Sequence, residues 1–210
     1  MKSCGNVFVN MCLLMSLWMT SDASADNHQP VPNAQTAVFA GGCFWGIDAV
    51  FKHVKGVVAA TAGYAGGSAA TAQYETVSGG DTGHAESVRV VFDPERISYQ
   101  QLLQVFFRVA HDPTQLNSQS PDVGSQYRSV IFYTDTKQQQ LAQDYIRQLT
   151  AAHTFSAAIV TQVAPLRQFY PAEDYHQNYL ALHPYSPYIV LYDKPKLAQL
   201  RKQFQSLYQE

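Results

Sequence analysis

One cysteine stands out in this chain by its surroundings. Cys43 follows Gly41-Gly42 and precedes Phe44-Trp45-Gly46. Two glycines let the backbone turn sharply. A helix starting there aims free N–H groups and about half a positive charge at the sulfur. That position favours the thiolate, the form that attacks electrophiles, so a lowered thiol pKa is expected. Phe44 and Trp45 can wall off a small methyl-bearing substrate. The plainer alternative is an inert buried thiol, the usual fate of a lone cysteine.

Glu86 is the second candidate. It leads an alternating stretch in which Val88, Val90 and Phe92 share its face, while Ser87, Arg89 and Val91 take the other. A carboxyl at the head of an apolar face is desolvated. Its pKa then rises and it keeps its proton near neutrality, as a general acid must. A strand-end glutamate turned to solvent, or paired with a base, fits the pattern equally well.

Other patterns carry less. His84-x-Glu86 opens a zinc-deaminase signature, but no Pro-Cys-x-x-Cys follows. Glu173-x-x-His176 is half of a carboxylate-bridged di-iron pattern whose second half is missing. Few cysteines and scattered histidines do not make a structural zinc site, and no metal or cofactor is implied. His84, His111 and His176 read as structural or supporting residues, His111 at a helix C-terminus where a cation is favoured. Asp122 after Pro121 suits an Asx turn. Tyr74, one of 13 tyrosines, says little alone.

The elements that must position these residues are legible from periodicity. Residues 37–40 form a short strand, and Cys43 opens a helix to about His53 with Phe44, Ile47 and Phe51 at helical spacing. Strands follow over 57–64 and 86–92, the latter stopping at Asp93-Pro94. Ser98 and Gln101 make a capping box for a helix carrying Leu102, Leu103, Phe106 and Phe107. Residues 129–133 form a strand, Asp135 caps a helix to about Ala152, and 159–163 form a further strand. Helices are expected over 172–183 and 196–208. This order gives an α+β fold, a two-layer α/β sandwich with a mixed sheet and helices packed on it, of ferredoxin-like type.

Composition sets the frame. The 210 residues are 46% hydrophobic and 14% charged, with a formal net charge of −2. No basic block points to nucleic acid or an anionic membrane surface. Lys2, the apolar stretch from Val7 to Met19 and Ala23-Ser24-Ala25 read as a cleavable export signal over residues 1–25. The run is too short for a membrane anchor, and Asn10 interrupts it. Residues 26–35 are a flexible lead-in, and 36–210 form a single domain. Cys4 and Cys12 would leave with the signal, so the exported, periplasmic form keeps Cys43 alone and has no membrane attachment. A lone thiol in an oxidising compartment is a candidate reactive group. A monomer is the default.

Five motifs then combine. Gly42-Cys43-Phe44-Trp45-Gly46, Gly83-His84-Ala85-Glu86, His111-Asp112-Pro113-Thr114, the run from Asp122 to Ser129, and Ala172-Glu173-Asp174-Tyr175-His176-Gln177 occur in order. Together they resemble the A-type peptide-methionine sulfoxide reductase family, from about Thr36 to Tyr188. The resemblance implies reduction of the S epimer of methionine sulfoxide, free or in proteins. It makes Cys43 the nucleophile that becomes a sulfenic acid, and Glu86 the acid that protonates the sulfoxide oxygen. Tyr74 and Tyr127 match two phenols that bond that oxygen, Asp122 a loop carboxylate that helps hold the site, and Phe44 and Trp45 the methyl-accepting wall.

One departure matters. Many members carry a resolving cysteine, but Ser78 stands where many have one, and the C-terminal segment has none. A one-cysteine cycle is expected, with an external thiol, either a small thiol or a thioredoxin-like partner, reducing the sulfenic acid. A thiol peroxidase or Cys–His hydrolase remains an alternative, though no Cys–His pairing is visible. A non-catalytic binder of oxidised proteins is a third.

Overall fold

Burial alternates along the first strand. Ala37 and Phe39 face a large core, and Val38 and Ala40 face a smaller one on the opposite side of the sheet. The computed structural model describes residue 1 and residues 31–210. Apart from Met1, the expected export segment and the first half of the lead-in lie outside the described residues.

In chain order, β1 (Gln35–Ala40) leads to α1 (Phe44–Lys52), β2 (Val57–Ala65), the single-turn α2 (Tyr74–Val77) and β3 (Ala85–Phe92). Next comes α3 (Tyr99–Val105), which runs on as a π-helical turn over Phe106–Ala110. A small hairpin pairs β4 (Ser118–Gln119) with β5 (Asp122–Val123). After it come β6 (Val130–Tyr133), α4 (Thr136–Ala151), β7 (Gln162–Pro165), β8 (Phe169–Pro171) and α5 (Tyr179–Leu182). A second π-helical turn, Ile189–Asp193, leads into α6 (Lys194–Gln203).

Six strands form one mixed sheet in the order β7-β6-β1-β3-β2-β8. Only β6 and β7 run parallel. The inner four follow the strand order of a split β-α-β unit, as the ferredoxin-like expectation requires. Side chains of α1, α3, α4 and α6 fill the large core with Phe39, Val88, Val90 and Phe92.

Local signals hold where they are strong. Ser98 and Gln101 form the reciprocal capping box at α3, and Asp135 accepts from the Gln138 N–H at 2.8 Å to start α4. Three expectations shift. The strand expected over 159–163 begins at Gln162, because the Val160 N–H is engaged by the Pro113 carbonyl at 2.8 Å instead of by β6. The helix expected over 172–183 is broken into a 3-10 turn at Asp174–His176 and the short α5. Gln177 is extended there, with its side chain bonded to both the N–H and C=O of Ala62 at 3.0 Å, and Asn178 takes φ 56. Anchoring to β2 overrides the helical periodicity. The last helix starts at Lys194 and ends at Gln203, short of Tyr208.

Candidate active site

The sulfur sits where β1 gives way to α1. Cys43 is the N-cap of α1, and its side chain makes no capping hydrogen bond in this state. The approach to it is tightly packed. A Cβ on Gly41 would lie 2.8 Å from His111 Cγ, and one on Gly42, at φ +99, would lie 2.5 Å from Gln119 Cγ. Both supports are fixed. The His111 ring bonds the Phe106 carbonyl through Nδ1 at 2.9 Å and the Ser129 hydroxyl through Nε2 at 2.7 Å. Gln119 exchanges two 3.0 Å bonds with the backbone of Asp112. No side chain larger than hydrogen fits at either glycine without displacing these supports.

Glu86 reaches the same spot from β3. It is 2% exposed, and its Oε2 accepts the Phe44 N–H at 3.0 Å. Burial pushes its pKa up to about 8, the Phe44 N–H opposes that rise, and the Asp122 charge adds to it. The carboxyl is therefore protonated at neutral pH. Arg128 supports the start of this strand by donating to the carbonyls of Gly83 and His84, both at 2.9 Å.

Three phenols surround the pair. Burial raises the pKa of Tyr74, Tyr127 and Tyr188, and the charges of Cys43 and Asp122 raise each further. Glu86 adds to this at Tyr74 and Tyr127. All three stay protonated and keep a donor O–H. Tyr188 donates to Asp122 Oδ2. The β4–β5 hairpin thus carries Gln119 behind the glycine turn and Asp122 toward Tyr188. Glu173 fixes Tyr74 by accepting its backbone N–H at 2.9 Å, while its other oxygen takes the Tyr64 hydroxyl at 2.8 Å. Tyr64 pairs with Glu86 across β2 and β3.

The apolar side is built on aromatics. Phe44 is buried and lies 5.0 Å, ring to ring, from His176. Trp45 stacks on Tyr179 at 3.7 Å, meets Tyr188 edge-on at 5.7 Å, and donates its Nε1–H to His176 Nδ1 at 3.1 Å. Cys43, Phe44 and Glu86 are buried, while Trp45, Tyr74, Asp122, Tyr127 and Tyr188 are half-buried around them. The arrangement is a reactive floor with a rim of rings and hydroxyls. Among the described residues, no group of three or more His, Cys, Asp or Glu side chains could hold a metal ion.

Comparison with known proteins identifies the family. The model of the family described as peptide methionine sulfoxide reductase matches residues 35–208. The chain belongs to the peptide methionine sulfoxide reductase family. Peptide methionine sulfoxide reductase MsrA 2 of Mesorhizobium japonicum is 54% identical over 184 residues, covering 88% of this chain and 94% of its own. The MsrA 2 of Synechocystis is 52% identical, covering 81% of this chain and 79% of its own. Among solved structures, methionine sulfoxide reductase A of Corynebacterium diphtheriae superimposes with TM-score 0.65 at 35% identity, covering 74% of this chain and 79% of that one. Reduced Mxr1 of Saccharomyces cerevisiae gives 0.67 at 33%, covering 73% and 87%.

All seven site residues expected in this reductase-family chain are brought together. Two electrostatic expectations are corrected. Cys43 is 8% exposed, and burial raises its pKa well above the ordinary thiol value, with the charges of Glu86 and Asp193 adding to the rise. The Trp45 N–H and Lys196 pull the other way and do not win. The resting sulfur is a neutral thiol, because desolvation outweighs the helix terminus. His111 is likewise no cation. Burial lowers its pKa to about 4, although its Nδ1 bonds the Phe106 carbonyl. The sequence reading placed Glu173 in a motif without a role, and missed Tyr188, Asp193 and Lys196 altogether. No local pattern marks them, since each reaches the site through a tertiary contact.

Proposed function

We propose that this protein reduces the S epimer of methionine sulfoxide, free or in proteins, to methionine, with Cys43 as nucleophile and Glu86 as general acid. Membership of the reductase family supports the substrate class. The observation that carries the mechanism is the pairing of a buried thiol with a carboxyl whose pKa lies at about 8.

The sulfoxide methyl group packs against Phe44 and Trp45, and its oxygen faces Glu86 and the hydroxyls of Tyr74 and Tyr127. Cys43 attacks the sulfoxide sulfur while Glu86 protonates the oxygen, a poor leaving group without that proton. Phenol donors stabilise the charge that builds on oxygen. The hydroxyl of this S–S adduct then passes to the Cys43 sulfur as the S–O and S–S bonds break, with an electron pair left on the methionine sulfur, so methionine leaves and Cys43 becomes a sulfenic acid. The thiol proton restores the Glu86 carboxylic acid, so no net proton is consumed. Asp122, through Tyr188, holds the rim in place.

Turnover then needs two electrons from outside. Cys43 is the one cysteine among the described residues, and Cys4 and Cys12 lie in the segment read as a cleaved export signal. A small thiol or a thioredoxin-like protein attacks the sulfenic acid, releases water and forms a mixed disulfide, which a second thiol resolves. The same leader supports a periplasmic location.

The test is turnover of both sulfoxide epimers with dithiothreitol by wild type, Cys43→Ser and Glu86→Gln. S-epimer reduction abolished by Cys43→Ser is expected. Full activity of the serine variant, or consumption of peroxide with the sulfoxide left intact, overturns the reading.

A further inference from the structure

A buried ion pair in the C-terminal segment presses on the first turn of α1. A methyl group at Gly46 would collide with Asp193 Oδ1 and would lie 2.7 Å from Lys196 Nζ. Gly46 is three residues from Cys43, so the two positions share a face of the helix start. Asp193 is 0% exposed; its Oδ1 takes Lys196 Nζ at 3.2 Å, and its Oδ2 is buried without a partner. A carboxylate held this way is poorly compensated for its burial, and stability alone does not account for it.

Lys196 is the accessible half of the pair. It lines a groove of about 560 Å³ together with His111 and Gln119, the two side chains that support the Gly41-Gly42 turn. Its charge is felt at His111, Asp122 and Cys43. The other ionisable groups that face Cys43 are Glu86 from β3, Tyr74 from α2, Tyr127 from the loop before β6, and Tyr188 from the segment before α6. Lys196 is the one cation acting on the sulfur among these described groups.

We infer that Asp193 and Lys196 are positioning residues that set the reactivity of Cys43 in opposite directions, Lys196 promoting attack by the sulfur and Asp193 restraining it. They act through space across the first turn of α1 and touch no substrate. Two charges of opposite sign beside one sulfur make opposite predictions for the two deletions. A merely structural pair would respond the same way to both.

The inference rests on Cys43 being the nucleophile, but its test needs no sulfoxide. Iodoacetamide alkylation is followed across pH in a full-length Cys4→Ser, Cys12→Ser background, so that only Cys43 reacts. K196M should raise the alkylation midpoint by about 0.5 pH unit or more, D193N should lower it by a similar amount, and K196R should match the parent. Midpoints that move together, or either one staying at the parent value, overturn the inference. If thermal melting shows that D193N does not fold, K196M against K196R decides alone: a rise only in K196M sustains it, and no rise sinks it. Opposed shifts in a protein that leaves sulfoxide intact defeat the reductase reading and keep this one. Equal shifts with normal sulfoxide turnover do the reverse.

Discussion

Glu86 Oε2 and the backbone N–H of Phe44 lie 3.0 Å apart, so the proposed acid is tied to the residue that follows the proposed nucleophile. The bond does two things. It fixes the carboxyl at the start of α1, and it opposes the rise in pKa that burial imposes without cancelling it. A glutamine can keep the acceptor but has no acidic proton. Glu86→Gln should therefore lower kcat by roughly 10²–10⁴-fold, the usual worth of general acid catalysis, with little change in KM. Glu86→Ala should in addition lower the melting temperature. Steady-state kinetics and thermal melting on the three proteins check this, and a fully active glutamine variant removes Glu86 from proton transfer.

Protonation of Glu86 also sets a pH limit. Its folded pKa of about 8 lies above the ordinary 4.5. Its contribution to stability is therefore complete below 4.5 and is lost as pH rises through 8. His111, lowered from 6.5 to about 4, does the opposite: its contribution is present above 6.5 and is lost as pH falls toward 4. Urea midpoints measured from pH 4 to 9 should peak in between. Glu86→Gln should flatten the alkaline side, with kcat/KM of the wild type falling through about pH 8. An alkaline limb unchanged in the glutamine variant would count against this assignment.

The glycine turn tolerates no side chain. Gly41→Ala sets a methyl group against the His111 ring, which is itself fixed by Phe106 and Ser129. Overpacking of this kind costs about 1–3 kcal/mol, and the backbone shift that relieves it moves Cys43. Urea unfolding and sulfoxide turnover should both decline. Loss of stability with unimpaired turnover would mean that the turn does not place the sulfur.

Glu173 is expected to matter without touching substrate. Burial alone would raise its pKa, but the Tyr74 N–H and the Tyr64 hydroxyl bring it below the ordinary value. Glu173→Gln weakens both bonds to neutral ones, at a cost of about 1 kcal/mol. Tyr74 is then less well held, and kcat should fall several-fold with the pH limit at about 8 unchanged. A shifted pH limit would instead place Glu173 in proton transfer.

Much of the site was readable because its signals are local. The alternation after Glu86 correctly put it on the buried face with Val88, Val90 and Phe92, and Gly41-Gly42 correctly marked a tight turn before a helix. The charge state of Cys43 was not readable, because the helix-terminus effect is local while the burial of the sulfur and the nearby Glu86 and Asp193 charges are tertiary. The segment after Pro171 failed for the same reason. Its residues have helical spacing, but Gln177 bonds to Ala62 on β2, and that contact is invisible in a periodicity. Tyr188, Asp193 and Lys196 belong to no motif that names their partners.

The placement of Cys43 near the beginning of the domain, and of Tyr188, Asp193 and Lys196 near its end, has a consequence for synthesis. A ribosome delivers the thiol long before the residues that cover it. A nascent chain released as far as β8 already holds every strand among the described residues, yet its sulfur still lacks the segment that carries Tyr188, Asp193 and Lys196. Until the final segment emerges and docks, oxidants meet that sulfur without the surroundings that govern it in the finished enzyme.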